Sequence, residues 1–103
     1  MLLGVTYKPN IADTRESPAI PLAKILIQQG AVLRFHDPLV KQFSVSDIEI
    51  PRVDDVDRSL AEADICVLLQ NHRQYDIGAM TAASQRFFDT RGVARRAANV
   101  QLL

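Results

Sequence analysis

The side chains best suited to chemistry in this chain follow segments that read as strands. Tyr7 and Lys8 come after the apolar segment 2–6, and Arg91 comes two residues after the segment 86–89. Two cations that converge on one crevice suit a phosphate or diphosphate, since arginine can bind its oxygens in a bidentate manner. Spacing alone favours a simpler interpretation, in which both are solvated surface charges, because most lysines and arginines are exposed without a specific role.

Two neighbouring groups also have alternative interpretations. Tyr7 could stack on a nucleobase or donate to a phosphate, or it could be a half-buried aromatic that covers the end of a sheet. The run 13–17 is dense in hydrogen-bonding side chains. Asp13 could pair with Arg15 and brace the loop, or Arg15 could reach outwards to an anion, and internal bracing is the better first expectation.

Several common cofactor and catalytic patterns are missing. Gly4 does not open a Gly-x-Gly-x-x-Gly fingerprint, so Asp37 is only weak evidence for a ribose-binding acid. Cys66 lies inside an apolar run, where cysteine is usually an inert small hydrophobe. His36 and His72 have no partners at metal-ligand spacing, which argues against a metal site. The sequence therefore shows no catalytic residues.

Composition limits the classes of protein to consider. The chain has 103 residues, which predicts a single domain over 1–103, with 12 Lys and Arg against 12 Asp and Glu. The balanced charge argues against a nucleic-acid binder. A single cysteine excludes an internal disulfide and favours a reducing, cytoplasmic setting. No uncharged apolar run approaches the ~20 residues needed to span a bilayer, so no membrane association is expected.

Apolar strands alternate with helical patterns along the chain. Strands are predicted at 2–6, 31–36, 65–69, 86–89 and 99–103, with helices at 17–29, 58–63 and 76–83, a short helix near 40–43 and an extended piece at 48–53. Such alternation is typical of a parallel sheet covered on both faces. The predicted fold is α/β, a Rossmann-like, doubly wound three-layer α/β/α domain with a mainly parallel sheet of about five strands.

This fold would position the candidate residues together. In doubly wound sheets, ligands bind beyond the carboxyl ends of the strands, where Tyr7, Lys8 and Arg91 are expected. Ser17 and Pro18 are typical of a helix start and Gly30 of a helix end. The isoleucines of that helix widen its apolar face, so we expect it to contact something besides the sheet.

Four segments together resemble a known family. They are GVTYKPN at 4–10, DTRESP at 13–18, HDP at 36–38 and DTRG at 89–92. Their order and spacing resemble the C-terminal domain of the UDP-glucose/GDP-mannose dehydrogenases, which oxidise nucleotide sugars to uronic acids with NAD. The resemblance runs over nearly the whole chain, and the close succession of the first two segments is its most specific part.

The resemblance implies roles that the residues alone do not. Tyr7 and Lys8 would contact the UDP portion of a UDP-sugar, Arg91 would contact the substrate from the far strand, and Arg15 would reach towards NAD. Asp13 and Glu16 would brace the loop. NAD itself, the catalytic cysteine and the dimerisation region would belong to N-terminal and central domains of a longer, homodimeric enzyme. This chain would be a domain of that enzyme and inactive alone.

The resemblance leaves other points open. It does not name the hexose, although the DTRESP form leans towards an N-acetylated sugar over glucose. Gln70 and Asn71 stand where relatives commonly carry a threonine and an acid, so it assigns no role to His72, and none to 93–103. Two non-enzymatic alternatives remain. A flavodoxin-like signalling module would need acids after the first and third strands, and the sequence speaks against it because those positions hold YK at 7–8 and QN at 70–71. An oligomerisation module would use the apolar first helix.

Overall fold

Five short parallel strands organise the chain, in a computed structural model that describes residues 1–103. The elements in chain order are β1 (Leu2–Leu3), α1 (Ala19–Gln28), β2 (Phe35–His36), β3 (Phe43–Val45), β4 (Ile48–Ile50), α2 (Val56–Glu62), β5 (Cys66–Leu68), α3 (Ile77–Ala83), β6 (Phe87–Asp89) and β7 (Val100–Leu102). The sheet order is β2-β1-β5-β6-β7, and every pairing is parallel. The predicted α/β fold is confirmed.

Successive side chains of β1 point to opposite faces of the sheet and enter two separate cores, because strand side chains alternate. Leu2 lies in a cluster with Ala19 and Ala23 of α1. Leu3 lies in a cluster with Leu60 of α2 and Met80 of α3. Helix α1 therefore covers one face and helices α2 and α3 cover the other, which makes the three layers.

An antiparallel hairpin, β3–β4, stands where a short helix was predicted near 40–43, and that prediction is wrong. Phe43 and Val45 are buried with Ser44 exposed between them, which is the alternation of a half-buried strand. The turn residues Ser46 and Asp47 have φ of 52° and 63°. Positive φ at both positions fits a tight hairpin turn, but without glycine the sequence carries no strong turn signal.

The hairpin also provides the second contact expected for α1. Phe43, Val45 and Ile50 share one buried cluster with Ala19 and Ala23 of the helix. The breadth of the apolar face of α1 is thus explained in part by a two-sided environment, the sheet below and the hairpin beside it. α1 is the longest helix at 10 residues, and no helix has the length and apolarity to cross a bilayer.

Specific contacts mark the helix ends, and α2 begins at Val56, two residues before the predicted start at 58. The Ser17 hydroxyl accepts from the Ala19 N–H at 3.1 Å, and Gly30 follows α1 with φ of 87°. Asp55 and Asp76 accept from backbone N–H groups in the first turns of α2 and α3. Each short helix therefore begins at a side-chain cap that its sequence supplies.

Gly4 ends β1 where a side chain would not fit. Its φ is 77°, and a Cβ built on it would lie 2.3 Å from the backbone oxygen of Gln70. The chain after β1 and the chain after β5 therefore run in direct backbone contact. That approach brings the segment carrying Tyr7 and Lys8 next to Gln70.

We predict that Gly4→Ala destabilises the fold much more than Gly30→Ala. Both glycines have positive φ, but a Cβ on Gly30 would meet nothing within 4 Å. The left-handed conformation alone costs about 1–2 kcal/mol, and steric overpacking adds about 1–3 kcal/mol at Gly4 only. Urea unfolding measures the free energy of unfolding of both variants and of the unaltered chain. Equal losses in the free energy of unfolding would show that the contact with Gln70 is not tight.

Candidate functional site

The structure brings the candidate loops to one edge of the sheet. Strands β1 and β6 both pair with β5 in parallel, so their carboxyl ends lie on the same edge. Neighbouring strands are about 4.8 Å apart, which puts the ends of β1 and β6 roughly 10 Å apart. Gln70 lies between them, and its Nε2 donates to the Tyr7 backbone oxygen at 2.8 Å. Thr90 donates through Oγ1 to Leu68 of β5 at 2.6 Å.

Tyr7 and Lys8 present their side chains to solvent from a loop that is fixed by its backbone. Tyr7 is 52% exposed, so its ring is half-buried and about half of its surface is open to solvent. The Tyr7 N–H donates to the backbone oxygen of Asp13 at 3.0 Å, and the backbone oxygen of Lys8 accepts from the Thr6 hydroxyl at 2.9 Å. Lys8 takes part in no ion pair. Its charge is available to an anion.

The loop that carries Arg91 is wrapped around the Asp89 carboxylate. Oδ1 of Asp89 accepts from the N–H groups of Arg91 and Gly92 at 2.7 and 3.0 Å. Oδ2 accepts from Val93 and Ala94, each at 2.7 Å. These four donors make a concave backbone arrangement of the kind that binds anions, and here the chain's own carboxylate fills it. The Arg91 side chain is exposed and makes no ion pair.

The same four contacts decide the ionisation of Asp89, which is fully buried. Burial raises the pKa of the carboxyl, but the backbone N–H donors outweigh burial and hold the pKa below its ordinary value. The ionised carboxylate is therefore the form that the folded loop requires.

Arg15 is paired with Asp13, as the residues alone suggested. Its Nη2 lies 2.9 Å from Oδ2 of Asp13, its Nε lies 3.1 and 3.2 Å from the two carboxylate oxygens, and its N–H donates to Oδ1 at 3.0 Å. The guanidinium lowers the pKa of Asp13 to about 2. The side chain of Arg15 is 86% exposed, so the pair holds it outwards. The bracing contacts come from Asp13, while Glu16 is exposed with φ of 63°.

Asp37 and His72 form a buried pair that sequence reasoning did not find. The side chains of both are 0% exposed, and His72 Nε2 lies 2.9 Å from Asp37 Oδ2. The carboxylate also accepts from the N–H groups of Val5 and Leu39, each at 2.8 Å. Both carboxylate oxygens of Asp37 are thus bound inside the fold, which agrees with the weak evidence for a ribose-binding acid at this position. Only the position of each residue just after a strand could have drawn attention to the pair.

Cys66 lies in the core between the sheet and α2. It is fully buried, and its Sγ lies 3.8 Å from the Leu60 oxygen. Burial raises the pKa of the thiol, so the thiolate that a nucleophile needs is disfavoured. This cysteine is a packing residue.

The sequence and the fold of this chain are both similar to known proteins. The sequence pattern of the UDP-glucose/GDP-mannose dehydrogenase family, UDP binding domain, matches residues 1–96. The chain belongs to this family. The resemblance read from the four sequence segments is thereby confirmed.

Individual relatives agree with the family assignment. The UDP-N-acetyl-D-mannosamine dehydrogenase of Methanocaldococcus jannaschii is 36% identical over 74 residues, which is 72% of this chain and 16% of that protein. The Escherichia coli K12 enzyme of the same name is 34% identical over 95 residues, 89% of this chain and 22% of that protein. A ternary complex of GDP-mannose dehydrogenase from Pseudomonas aeruginosa superposes with a TM-score of 0.74 at 27% identity, covering 98% of this chain and 27% of that one. The chain thus spans about a quarter or less of these relatives.

We predict that Asp89→Asn destabilises the chain by about 1–3 kcal/mol, the range for removing one partner from buried hydrogen bonds. An amide offers one acceptor oxygen where the carboxylate offers two. The lowered pKa of Asp89 makes its contribution full above the unfolded pKa, near 4, and lost as pH falls through the folded value. Unfolding measured against pH should show a difference between the two chains that is constant near neutrality and shrinks below about pH 4. A difference that grows on acidification would contradict this.

Proposed function

We propose that this chain is the nucleotide-binding domain, residues 1–103, of a longer NAD-dependent UDP-sugar 6-dehydrogenase that converts a UDP-hexose to a UDP-hexuronate. The observation that carries the proposal is that Lys8 and Arg91 are exposed and free of ion pairs on loops at one edge of the sheet, with Arg73 on the loop after β5 likewise exposed and unpaired. The family match supplies the nucleotide that such a pair would bind.

The charge balance at this edge supports an anionic ligand. On the loop after β1, the Asp13 carboxylate is paired with Arg15. Asp37 and Asp89 are fully buried and accept backbone N–H groups. They are directed into the fold, so they do not neutralise Lys8 and Arg91 at the surface. The exposed ring of Tyr7 beside Lys8 offers a face for the uracil or a hydroxyl for a phosphate. Each charge-assisted contact to phosphate contributes about 1.5–3 kcal/mol.

NAD would be bound mainly by other domains of the parent enzyme. β1 is followed by a single glycine, and the acid that could bind a ribose, Asp37, is saturated inside the fold. Arg15 is the residue of this chain that fits a contact with NAD, because Asp13 holds its side chain out into solvent. When bound, NAD supplies the acceptor for hydride.

The contribution of this domain to catalysis would be positioning. Holding the diphosphate fixes the hexose relative to a nucleophile and a nicotinamide supplied by the N-terminal and central domains of a homodimeric enzyme. Binding energy at the remote nucleotide is then used to orient the reacting carbon. Cys66 is buried in the core, so the nucleophile would come from elsewhere in the parent chain.

Among candidate sugars, UDP-N-acetylmannosamine is favoured. The relatives from M. jannaschii and E. coli carry that substrate in their names. The DTRESP segment agrees with an N-acetylated sugar but does not choose between N-acetylmannosamine and N-acetylglucosamine.

We predict that UDP binds the isolated chain weakly at the edge formed by Tyr7, Lys8 and Arg91. Amide shifts in NMR titration should centre on these residues, and Lys8→Met or Arg91→Met should each weaken binding about tenfold or more, because about 1.4 kcal/mol corresponds to a factor of ten.

Arg34→Met is the matched control. Arg34 is exposed and precedes β2, at the amino end of the strands, so the same loss of charge there should leave UDP affinity unchanged. Equal effects of Arg34→Met and Arg91→Met would mean that UDP responds only to net charge. Millimolar UDP that moves none of the three residues would remove the proposed site.

We also predict that the chain alone forms no NADH from NAD and a UDP-N-acetylhexosamine. The reason is that its one thiol is enclosed and protonated in the core. NADH absorbance measures the outcome, with the full-length parent enzyme as positive control. Turnover by this chain that is abolished by Cys66→Ala would place the nucleophile here and contradict the proposal.

A further inference from the structure

A buried imidazole joins three separate segments beneath the loop that carries Tyr7 and Lys8, here called the 7–13 loop. Nε2 of His72 lies 2.9 Å from Asp37 Oδ2, at the end of β2. Nδ1 of the same ring accepts from the Asn10 N–H at 2.9 Å, in the middle of the loop. His72 itself follows β5, so one side chain spans the loop and two strands.

The hydrogen bonds fix the protonation of the ring. A backbone N–H can only donate, so Nδ1 must carry a lone pair, and Nε2 must carry the proton that it donates to Asp37. The neutral ring thus has one donor and one acceptor side, and each is matched. Protonation of Nδ1 would set two donors, the ring and Asn10, against each other.

The cluster Thr6–His72–Asp37 is not a catalytic triad. In a nucleophile triad the acid and the hydroxyl bind opposite nitrogens of the imidazole. Here Asp37 and the Thr6 hydroxyl both approach Nε2, at 2.9 and 3.3 Å. The Thr6 hydroxyl also donates to the Lys8 oxygen, and all three side chains are buried. The cluster therefore acts on the loop backbone and on no external molecule.

Polar contacts of this kind are what hold the 7–13 loop. Residues 7–12 are all exposed, so no apolar core fixes them. Asn10 has a positive φ of 63°, and its side-chain oxygen accepts from the Arg73 N–H at 2.7 Å. The Asn10 N–H donates to Nδ1 of His72, and this hydrogen bond connects the exposed loop to a side chain in the buried interior.

We propose that His72 is a positioning residue for nucleotide binding, which fixes the 7–13 loop through Asn10 so that Tyr7 and Lys8 are pre-arranged for the nucleotide. This rests on the function proposed above. Fixing the backbone of a loop costs conformational entropy, so a loop that is ordered before binding spares the nucleotide that cost. Loss of the contact lowers the fraction of chains with a competent loop, and the apparent affinity falls in proportion.

Two substitutions separate the two arms of the ring. His72→Gln places an amide near the Nε2 position, so it keeps a donor for Asp37 and removes the acceptor for Asn10. His72→Asn places an amide oxygen near the Nδ1 position, so it keeps the acceptor and removes the donor. Gln should increase amide motion over 7–13 and weaken UDP binding about tenfold, as for a competent fraction of about one tenth. His72→Asn should keep most of the loop order and most of the UDP affinity of the unaltered chain.

A destabilised control distinguishes positioning from general stability. Met80→Ala removes a buried side chain from the core on the α3 face, away from the 7–13 loop. Compared at equal free energies of unfolding, Met80→Ala should leave loop motion and UDP affinity of the folded chain unchanged. If it matches His72→Gln in both, the effect of His72 is only structural and the proposal is overturned.

A direct measurement on the unaltered chain needs no variant to fold. A scalar coupling across the hydrogen bond, between the Asn10 amide nitrogen and His72 Nδ1, should be detected by NMR. If the coupling is absent, the hydrogen bond between His72 and Asn10 is not formed and the positioning role is overturned, whether or not UDP binds. An ordered loop in His72→Gln, or a loosened loop with unchanged UDP affinity, overturns the positioning role while leaving the proposed function intact. Failure of the unaltered chain to bind UDP overturns the proposed function itself, even with the coupling present.

Discussion

Two buried carboxylates satisfy the backbone at the carboxyl edge of the sheet, and the rest of the site depends on them. Loops that leave parallel strands carry N–H groups with no strand partner, and a buried N–H without an acceptor is costly. Asp37 accepts from two such groups and Asp89 from four. Both loops are thereby held in fixed conformations, and both negative charges are directed inwards.

The consequence is a separation of charge that an anion-binding site needs. Asp37 and Asp89 are enclosed by the fold, whereas Lys8 and Arg91 remain at the surface without ion pairs. The close backbone approach of Gly4 to Gln70 places the 7–13 loop beside the end of β5, and so sets the distance between this loop and the end of the sheet. A positive surface can thus arise in a chain whose formal net charge is zero.

The fold was predictable from local pattern, and the site was predictable only in part. Local signals mark the strands and helices: the apolar run 65–69 marks β5, and Asp76 caps α3. The β3–β4 hairpin was missed because Ser46 and Asp47 adopt positive φ without glycine, so nothing local marks the turn. The Asp37–His72 pair was missed because it joins residues 35 positions apart, and its meaning depends on burial. The roles of Tyr7, Lys8, Arg15 and Arg91 came from a resemblance and stay predictions.

The loop after β1 and the loop after β6 are proposed to bind one diphosphate from two sides. A crystal structure of this chain with UDP tests it most directly. We expect Nζ of Lys8 and the guanidinium of Arg91 both to lie within about 3.2 Å of diphosphate oxygens, the limit for an ordinary hydrogen bond. A UDP molecule seated with either cation turned to another face of the sheet would contradict it.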